Sequence, residues 1–457
     1  MLSPRRSSDV PMASPKLAVI GQGYVGLPLA CALADKGNKV TGVDVDEKKV
    51  KAINSGRSPM VGKEPGLDEL LKKVVKNGSL VAVTDIEKSR GSDAFFVCVD
   101  TPVGKDRKAD LTILRSVSTS LGKVIGKGCL VSVESTLPPR TMIDVVMPLL
   151  EKGGLKAGRD FSVVHCPERV MPGRLLLNMK SYSRVLGGID QASIDSALVY
   201  YRQLVEAEIF PTDLLSAELC KTVENTYRDV QIAFANEVAL ICEQLGADAY
   251  NVRRLVNTCP FRDMHLPGSG VGGHCLTKDP WLLLSAVKEA DGLIARAREI
   301  NDSMPDHLAD LAQEALRAAG VGLKSANVTI MGLSFLRDSD ETRNSPSKRV
   351  IDRFEGKTKL VVHDPFAQEQ YKVRITRGME RALKGSDCAI FVTDHSEYLR
   401  LDLKRVKALM RTPIIIDGRN IFDNAKCSAA GFAYRGIGKG DLGQGFTSRR
   451  KGAKARP

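Results

Sequence analysis

The sequence predicts an α/β protein in which two doubly wound, parallel-stranded sheets are joined by an all-helical segment. Three observations carry this expectation. Short apolar runs alternate with helical patterns up to about residue 208, and the alternation resumes at Asn327. Between the two stretches the apolar spacing is helical almost throughout. A glycine-rich turn joins the first strand to the first helix, the place where a doubly wound sheet keeps its ligand crevice. A chain of 457 residues is long enough for several domains, each burying its own core.

Lys16 to Ile20 reads as the first strand and runs into GQGYVGLPLACALADKG, where Gly21, Gly23 and Gly26 have the spacing G-x-G-x-x-G before a helix ending near Gly37. Lys39 to Val45 is the second strand. It holds Asp44, 21 residues after Gly23, where a dinucleotide fold places the carboxylate that bonds the adenosine ribose. An acid there favours NAD over NADP, while Lys48 and Lys49 are basic neighbours that argue the other way. Parallel strands are predicted at Ala94 to Val99, Cys129 to Glu134, Phe161 to His165 and Arg184 to Gly187. Their ends carry Asp100-Thr101-Pro102, Glu134-Ser135-Thr136 and Cys166-Pro167-Glu168-Arg169, polar groups suited to a crevice at the carboxyl edge of the sheet.

Thr212 or Asp213 caps a long helix running to Gly246, with Leu215, Leu219, Val223, Tyr227, Phe234, Val238 and Ile241 marking an apolar face. Lys221 and Asn225 lie one turn apart on it, able to hold an oxygen or a charge. More helix is predicted from Asp279 to Asn301. Before it lies PGSGVGGHCLTKDPWLLL, Pro267 to Leu284, which sets Cys275 among Gly268, Gly270, Gly272 and Gly273. Such glycines let the backbone lie close to a ligand and present a thiol in a tight turn. A turn feeding a helix N-terminus favours negative charge on sulfur, Lys278 adds positive charge nearby, and Asp279 falls on the same face. The competing reading makes Cys275 inert packing at a helix entry.

From Asn327 the second alternation places strands at Val328 to Met331, Leu360 to His363, Cys388 to Thr393 and Ile414 to Asp417. Its first turn, GLSFLRDSDETRNSPSKRV, is richer in polar residues than the N-terminal one. Arg343 and Arg419 are fork-shaped donors suited to phosphate or carboxylate. No short-period repeat is present.

Composition narrows the function classes. The ten cysteines are scattered singly, without a C-x-x-C pair or a Cys/His cluster at metal-ligand spacing, so free thiols and no metal are expected. No apolar run approaches the ~20 residues of a membrane span, and MLSPRRSSDVPMASP lacks the apolar core of a signal peptide. The expectation is a soluble, cytoplasmic protein that spans no membrane. Net charge is +13, partly in tails at 1–15 and 438–457 that read as disordered. Without interleaved aromatics this charge suits acidic small molecules better than nucleic acid.

GQGYVG, VDVD, EPGL, ESTLPPRT, HCPERVMPG, ELCKTVENTYRDVQIAFANE, GSGVGGHCLTKDPW, GLSF with DETRNSPS, and DGRN, in that order, resemble the nucleotide-sugar 6-dehydrogenases. The resemblance runs from about Lys16 to about Phe432. It implies an NAD-binding Rossmann domain at 16–208, a helical domain at 209–318 through which subunits dimerise or form a higher even oligomer, and a UDP-sugar-binding Rossmann-like domain at 319–437. It also implies a four-electron oxidation of a primary alcohol to an acid, in which Cys275 captures the aldehyde covalently. On this likeness Lys221 and Asn225 cradle the oxyanion, Asp279 and Thr136 position water or relay protons, and Glu168 is the acid/base. Cofactor contacts would come from Gly21, Gly23, Tyr24, Val25, Gly26, Asp44, Lys49, Thr101, Thr136 and Arg343. Sugar-nucleotide contacts would come from Glu168, Arg169, Val170, Lys221, Asn225, Arg228, Arg262, His265, Gly272, Phe335, Arg337 and Arg419, with Arg262 reaching a neighbour's site. PERVMPG and VENTYRDVQIAFANE resemble the N-acetylhexosamine branch. UDP-N-acetyl-D-mannosamine is the implied substrate, with UDP-N-acetyl-D-glucosamine and then UDP-glucose as alternatives. Leu336 stands where the family commonly has Lys, with Arg337 next. A two-electron 3-hydroxyacid-type dehydrogenase and a non-enzymatic nucleotide sensor are the rival readings.

Overall fold

A computed structural model of the chain describes residues 14–60, 64–104, 106–171, 173–368 and 371–440. The two tails expected to be disordered lie outside these residues except for 14–15 and 438–440. The described chain forms two compact units. One runs to Val223 and takes back Trp281–Lys288, and the other comprises Glu224–Pro280 and continues from Glu289.

The first unit holds eight strands: β1 (Lys16–Ile20), β2 (Lys39–Val43), β3 (Leu80–Val83), β4 (Ala94–Val97), β5 (Leu130–Val133), β6 (Ser162–His165), β7 (Arg184–Gly188) and β8 (Ile209–Asp213). Their order is β3-β2-β1-β4-β5-β6-β7-β8, with the winding reversing between β1 and β4. Buried apolar residues cover both faces, Leu17, Leu27 and Leu71 on one and Phe95, Leu121 and Val131 on the other. This is why the strands read as continuous apolar runs rather than alternating ones.

One expectation is corrected. Arg184 to Gly188 is not parallel to its neighbour: β7 pairs β6 antiparallel, His165 opposite Gly187, and only then does β8 run parallel to β7. Glu168, just past the end of β6, holds Arg184, the first residue of β7, in a buried ion pair at 2.5 Å. The chain re-enters the sheet at the end where it left. Strands β3 and β8 were not anticipated; β8 is mostly exposed, so it lacks a buried strand's apolar signature.

The second unit carries β9 (Asn327–Met331), β10 (Lys359–His363), β11 (Ile375–Thr376), β12 (Cys388–Phe391), β13 (Ile414–Asp417) and β14 (Ala433–Gly436). All pairings are parallel, in the order β11-β10-β9-β12-β13-β14, repeating the winding of the first sheet. The helix expected from Asp279 to Asn301 is two: Asp279–Leu284 and Leu293–Ala318. Asp291-Gly292, turn-forming residues, separate them.

The long helix spans Leu214–Leu245. Asp213 caps it, its carboxylate accepting the Ser216 backbone N–H at 2.8 Å. Most of its apolar stripe does not face the core: Leu219, Val223, Tyr227, Phe234 and Ile241 are exposed, as is Leu245 beyond them, whereas Val238 packs against the core of the second unit. The buried positions are small or polar instead, among them Ala233, Ala235, Asn236 and Ala239. Within the second unit, Asp229 on this helix pairs with Arg298 of Leu293–Ala318 at 2.5 Å, and both side chains are fully buried. Asn301 also donates to Asp229, at 2.9 Å.

Removing one partner of a buried ion pair strands the other charge, at a cost of about 3–5 kcal/mol. Arg298→Ala is therefore expected to lower unfolding free energy by about that amount in urea titration. An exposed, dispensable pair would give less than about 1 kcal/mol.

Candidate active site

In the first unit the glycine turn lies between β1 and the helix Gly26–Asp35. Gly21 has φ +91°, and a Cβ there would stand 2.7 Å from the Cys98 carbonyl oxygen. A Cβ on Gly26 would collide with the Gly21 carbonyl, whereas Gly23 has open space around it. The first and third glycines are thus required by the backbone, and the second leaves room for a ligand to approach. Asp44 follows β2 directly. Its Oδ2 accepts the Gln22 N–H at 2.9 Å and its Oδ1 the Asp46 N–H at 3.0 Å, which fixes the carboxylate beside the turn, with Lys49 Nζ 3.5 Å away. These residues fit a dinucleotide: a bare turn at a helix start, and an oriented acid one strand over.

Thr101 and Thr136, past β4 and β5, are tied together by a hydrogen bond from Thr101 Oγ1 to the Thr136 carbonyl at 2.6 Å. Past β6, Glu168 Oε1 accepts the N–H groups of Arg169 and Val170 at 2.6 and 3.1 Å, while Oε2 meets Arg184. Arg169 in turn donates to the Ser183 carbonyl at 3.1 Å. These strand-end groups all lie at the carboxyl edge of the parallel strands.

In the second unit the cysteine loop is braced by glycines that admit no side chain. A Cβ on Gly272 or Gly273 would lie 2.6 or 2.8 Å from Phe335, and one on Gly268 would lie 3.2 Å from the Arg419 guanidinium. The Gly273 N–H donates to the Arg343 carbonyl at 2.8 Å, and Asn344 donates back to the Gly273 carbonyl at 3.0 Å. Asn236 accepts the Gly268 N–H at 2.9 Å and donates to Asn301, joining the loop to the Asp229–Arg298 pair. The loop is therefore held from the helices and from the turn after β9. Cys275 sits on it exposed. Its carbonyl accepts the N–H groups of Lys278 and Asp279 at 3.0 and 2.8 Å, so the chain coils immediately after the thiol. Asp279 is buried; its Oδ2 accepts from Asn225 at 2.5 Å, and Lys278 Nζ stands 3.7 Å from its Oδ1. A donor amide, an ammonium and a carboxylate close to a thiol-bearing turn can orient an oxygen substrate and move protons.

The remaining anticipated residues differ in placement. Lys221 and Asn225 share a face of the long helix. His265 meets Gln231 at 3.0 Å. Arg419 is no surface arginine: it is half-buried and donates to the Val392 carbonyl at 3.1 Å. Arg337 pairs with Asp394, and Arg343 with Glu341, at the rim of the turn after β9. Arg228 is exposed, and Arg262 lies on an exposed segment beside a fully exposed Phe261. Tyr24 and Val25 sit within the glycine turn. Arg184 and Tyr201, buried behind Glu168, carry no sequence signal, since each looks like one more residue of an apolar element.

Known proteins show the same organisation. Residues 15–205, 215–303 and 329–424 match in turn the NAD binding, central and UDP binding domains of the UDP-glucose/GDP-mannose dehydrogenase family. The UDP-N-acetyl-D-mannosamine dehydrogenase of Pyrococcus horikoshii is 40% identical, over 93% of this chain and 100% of its own. Its solved structure superposes with a TM-score of 0.87. The solved NDP-N-acetyl-D-galactosaminuronic acid dehydrogenase of Methanosarcina mazei is 36% identical over 93% of this chain and 95% of its own, with a TM-score of 0.84. The chain belongs to the UDP-glucose/GDP-mannose dehydrogenase family and is an NAD-dependent nucleotide-sugar dehydrogenase.

Proposed function

We propose that the chain oxidises the C6 alcohol of UDP-N-acetyl-D-mannosamine to the carboxylate in two steps, through a covalent adduct on Cys275. The observation that carries this reading is the exposed thiol on a loop that three glycines, Gly268, Gly272 and Gly273, hold against Arg419 and Phe335, followed within one turn by the buried Asp279 and its partner Asn225. The sugar assignment rests on the names of the relatives above and on the PERVMPG and VENTYRDVQIAFANE segments.

Two NAD molecules, bound in succession, would each supply an acceptor for one hydride; Gly21, Gly23, Tyr24, Val25, Gly26, Asp44, Lys49, Thr101, Thr136 and Arg343 are the residues proposed to hold each in turn. The protein's own groups do the rest. Glu168 takes the hydroxyl proton as the alcohol becomes an aldehyde. The Cys275 thiolate adds to the aldehyde carbon, giving a thiohemiacetal whose oxyanion Lys221 and Asn225 stabilise. Oxidation of that adduct leaves a thioester. Asp279 and Thr136 orient the water that hydrolyses it, releasing the acid and the thiolate. Covalent capture keeps the reactive aldehyde from escaping. Arg169, Val170, Arg228, His265, Gly272, Phe335, Arg337 and Arg419 are proposed to bind the sugar nucleotide, with Arg337 replacing the basic group that Leu336 cannot supply. The domain limits proposed are 16–208, 209–318 and 319–437.

The same reading makes the protein a cytoplasmic homodimer or higher even oligomer. Among the described residues no helix is long and apolar enough to cross a membrane. The exposed stripe from Val223 to Leu245 is the proposed subunit contact.

Three outcomes are expected. Steady-state kinetics should show kcat/KM for NAD exceeding that for NADP by about a hundredfold, because a 2′-phosphate would face Asp44; parity would mean that Lys49 dominates. Cys275→Ser should fold and bind both ligands yet make less than about 1% of the wild-type NADH, whereas Cys166→Ser keeps most of it and two NADH form per UDP-N-acetyl-D-mannosamine. Full two-NADH turnover by Cys275→Ser removes the covalent role, and equal rates with UDP-glucose remove the sugar assignment. Light scattering should give a dimer or its multiple, and Phe234→Glu should shift it toward monomer; a wild-type monomer at micromolar concentration refutes the assembly.

A further inference from the structure

Behind the Glu168 turn lies a buried cluster that the proposed reaction leaves unused. Glu134 follows β5 and is 2% exposed. Its Oε1 accepts from Ser132 Oγ at 2.9 Å and from the Tyr201 hydroxyl, and those two hydroxyls are 2.6 Å apart. Its Oε2 is buried with no hydrogen-bond partner among the described residues. Glu168 is surrounded differently: one oxygen accepts two backbone N–H groups, and the other, though not aligned for a hydrogen bond, lies 2.5 Å from the Arg184 guanidinium in an ion pair. Arg184 is itself 1% exposed and lies within electrostatic reach of both carboxyls.

The other groups facing the cluster bring no compensating charge. Cys98, past β4, and Cys166, past β6, are thiols that burial pushes well up and keeps neutral. His165, on β6, is pushed down to about 4 by burial, and its Nδ1 stands 2.8 Å from the Val133 carbonyl. Burial likewise holds the Tyr201 phenol neutral. One guanidinium thus faces two carboxyl groups, and ionising both would leave a net negative charge out of reach of water, which is costly. Glu134, held by two neutral hydroxyls rather than by backbone N–H groups and an ion pair, is the carboxyl that keeps a proton.

We propose that Glu134 is a positioning residue for Glu168: while protonated it leaves Arg184 wholly to Glu168, and when ionised it competes for that guanidinium and loosens the turn. This rests on reading Glu168 as the acid/base. Burial pushes the Glu134 carboxyl up to about 7, against the lowering effect of Arg184 and Tyr201, so the exchange falls near neutrality. The sign follows. Protonated Glu134 predominates below about pH 7, and the ordered Glu168 turn is lost as pH rises through that value.

The test has two arms. In the first, kcat and KM are measured with UDP-N-acetyl-D-mannosamine from about pH 6 to about pH 9 for the wild type, Glu134→Gln and Tyr201→Phe. The wild type should show an alkaline fall in kcat centred near 7, with KM changing less than about twofold. Glu134→Gln, whose amide stays neutral, should lack this limb and exceed the wild type about fivefold at the alkaline end. Tyr201→Phe removes a donor that favours the anion and should move the limb upward. An unaltered limb in Glu134→Gln, or an inactive folded variant at every pH, overturns the proposal. The second arm needs no substrate and covers the case in which Glu134→Gln does not fold. Burial pushes the Glu218 carboxyl up to about 7 as well, so infrared difference spectra of the wild type should lose two slowly exchanging carboxylic C=O stretches near neutral pH, of which the Glu134 band is the one displaced in Tyr201→Phe. Absence of that band at the acid end overturns the proposal. Full activity of Glu168→Gln with a normal infrared titration would instead remove only the acid/base reading.

Discussion

The closeness of the cysteine loop to the turn after β9 is the constraint on which the second unit depends. A β-carbon at Gly272 or Gly273 would overlap Phe335, and Gly273 also needs φ +89°, which other residues adopt only with strain. Glycine here is a packing requirement before it is a matter of flexibility. Given that contact, the loop's remaining polar groups find fixed partners: Arg343 and Asn344 on one side, Asn236 and through it Asn301 on the other. Cys275 can then stand exposed without being mobile, because its neighbours are held from two directions.

Two buried carboxylates that the proposed reaction uses have different partners. Asp279 is buried with an amide donor on one oxygen, and Glu168 is buried with two backbone N–H donors on one oxygen and the Arg184 ion pair on the other. Each partner set positions its group, and each removes side-chain freedom that catalysis would otherwise have to restrict. The Glu168–Arg184 pair lies where the end of β6 meets the start of β7, the place at which the sheet's direction reverses.

Much of this was legible in the sequence. The G-x-G-x-x-G turn, Asp44 after β2 and the apolar strands β4, β5, β6, β9, β10, β12 and β13 announce themselves because buried parallel strands read as unbroken apolar runs. The glycine frame of Cys275 was equally plain. What could not be read depends on partners distant in sequence. Arg184 looks like the polar end of an apolar strand until Glu168 is seen beside it, and Arg298 looks like one charge in an amphipathic helix until Asp229 is found 69 residues away. The long helix misleads in a different way. Its apolar stripe is real, but the face that packs within its own chain is the small and polar one, so periodicity identified the helix and not what covers it.

The covalent role of Cys275 is the central claim, and peptide-mapped mass spectrometry of acid-quenched wild-type protein turning over NAD and UDP-N-acetyl-D-mannosamine tests it most directly. The account predicts a uronyl adduct on the peptide that carries Cys275, lost on treatment with hydroxylamine as a thioester is. An adduct confined to another cysteine such as Cys166, or none on any cysteine while acid product accumulates, would contradict it.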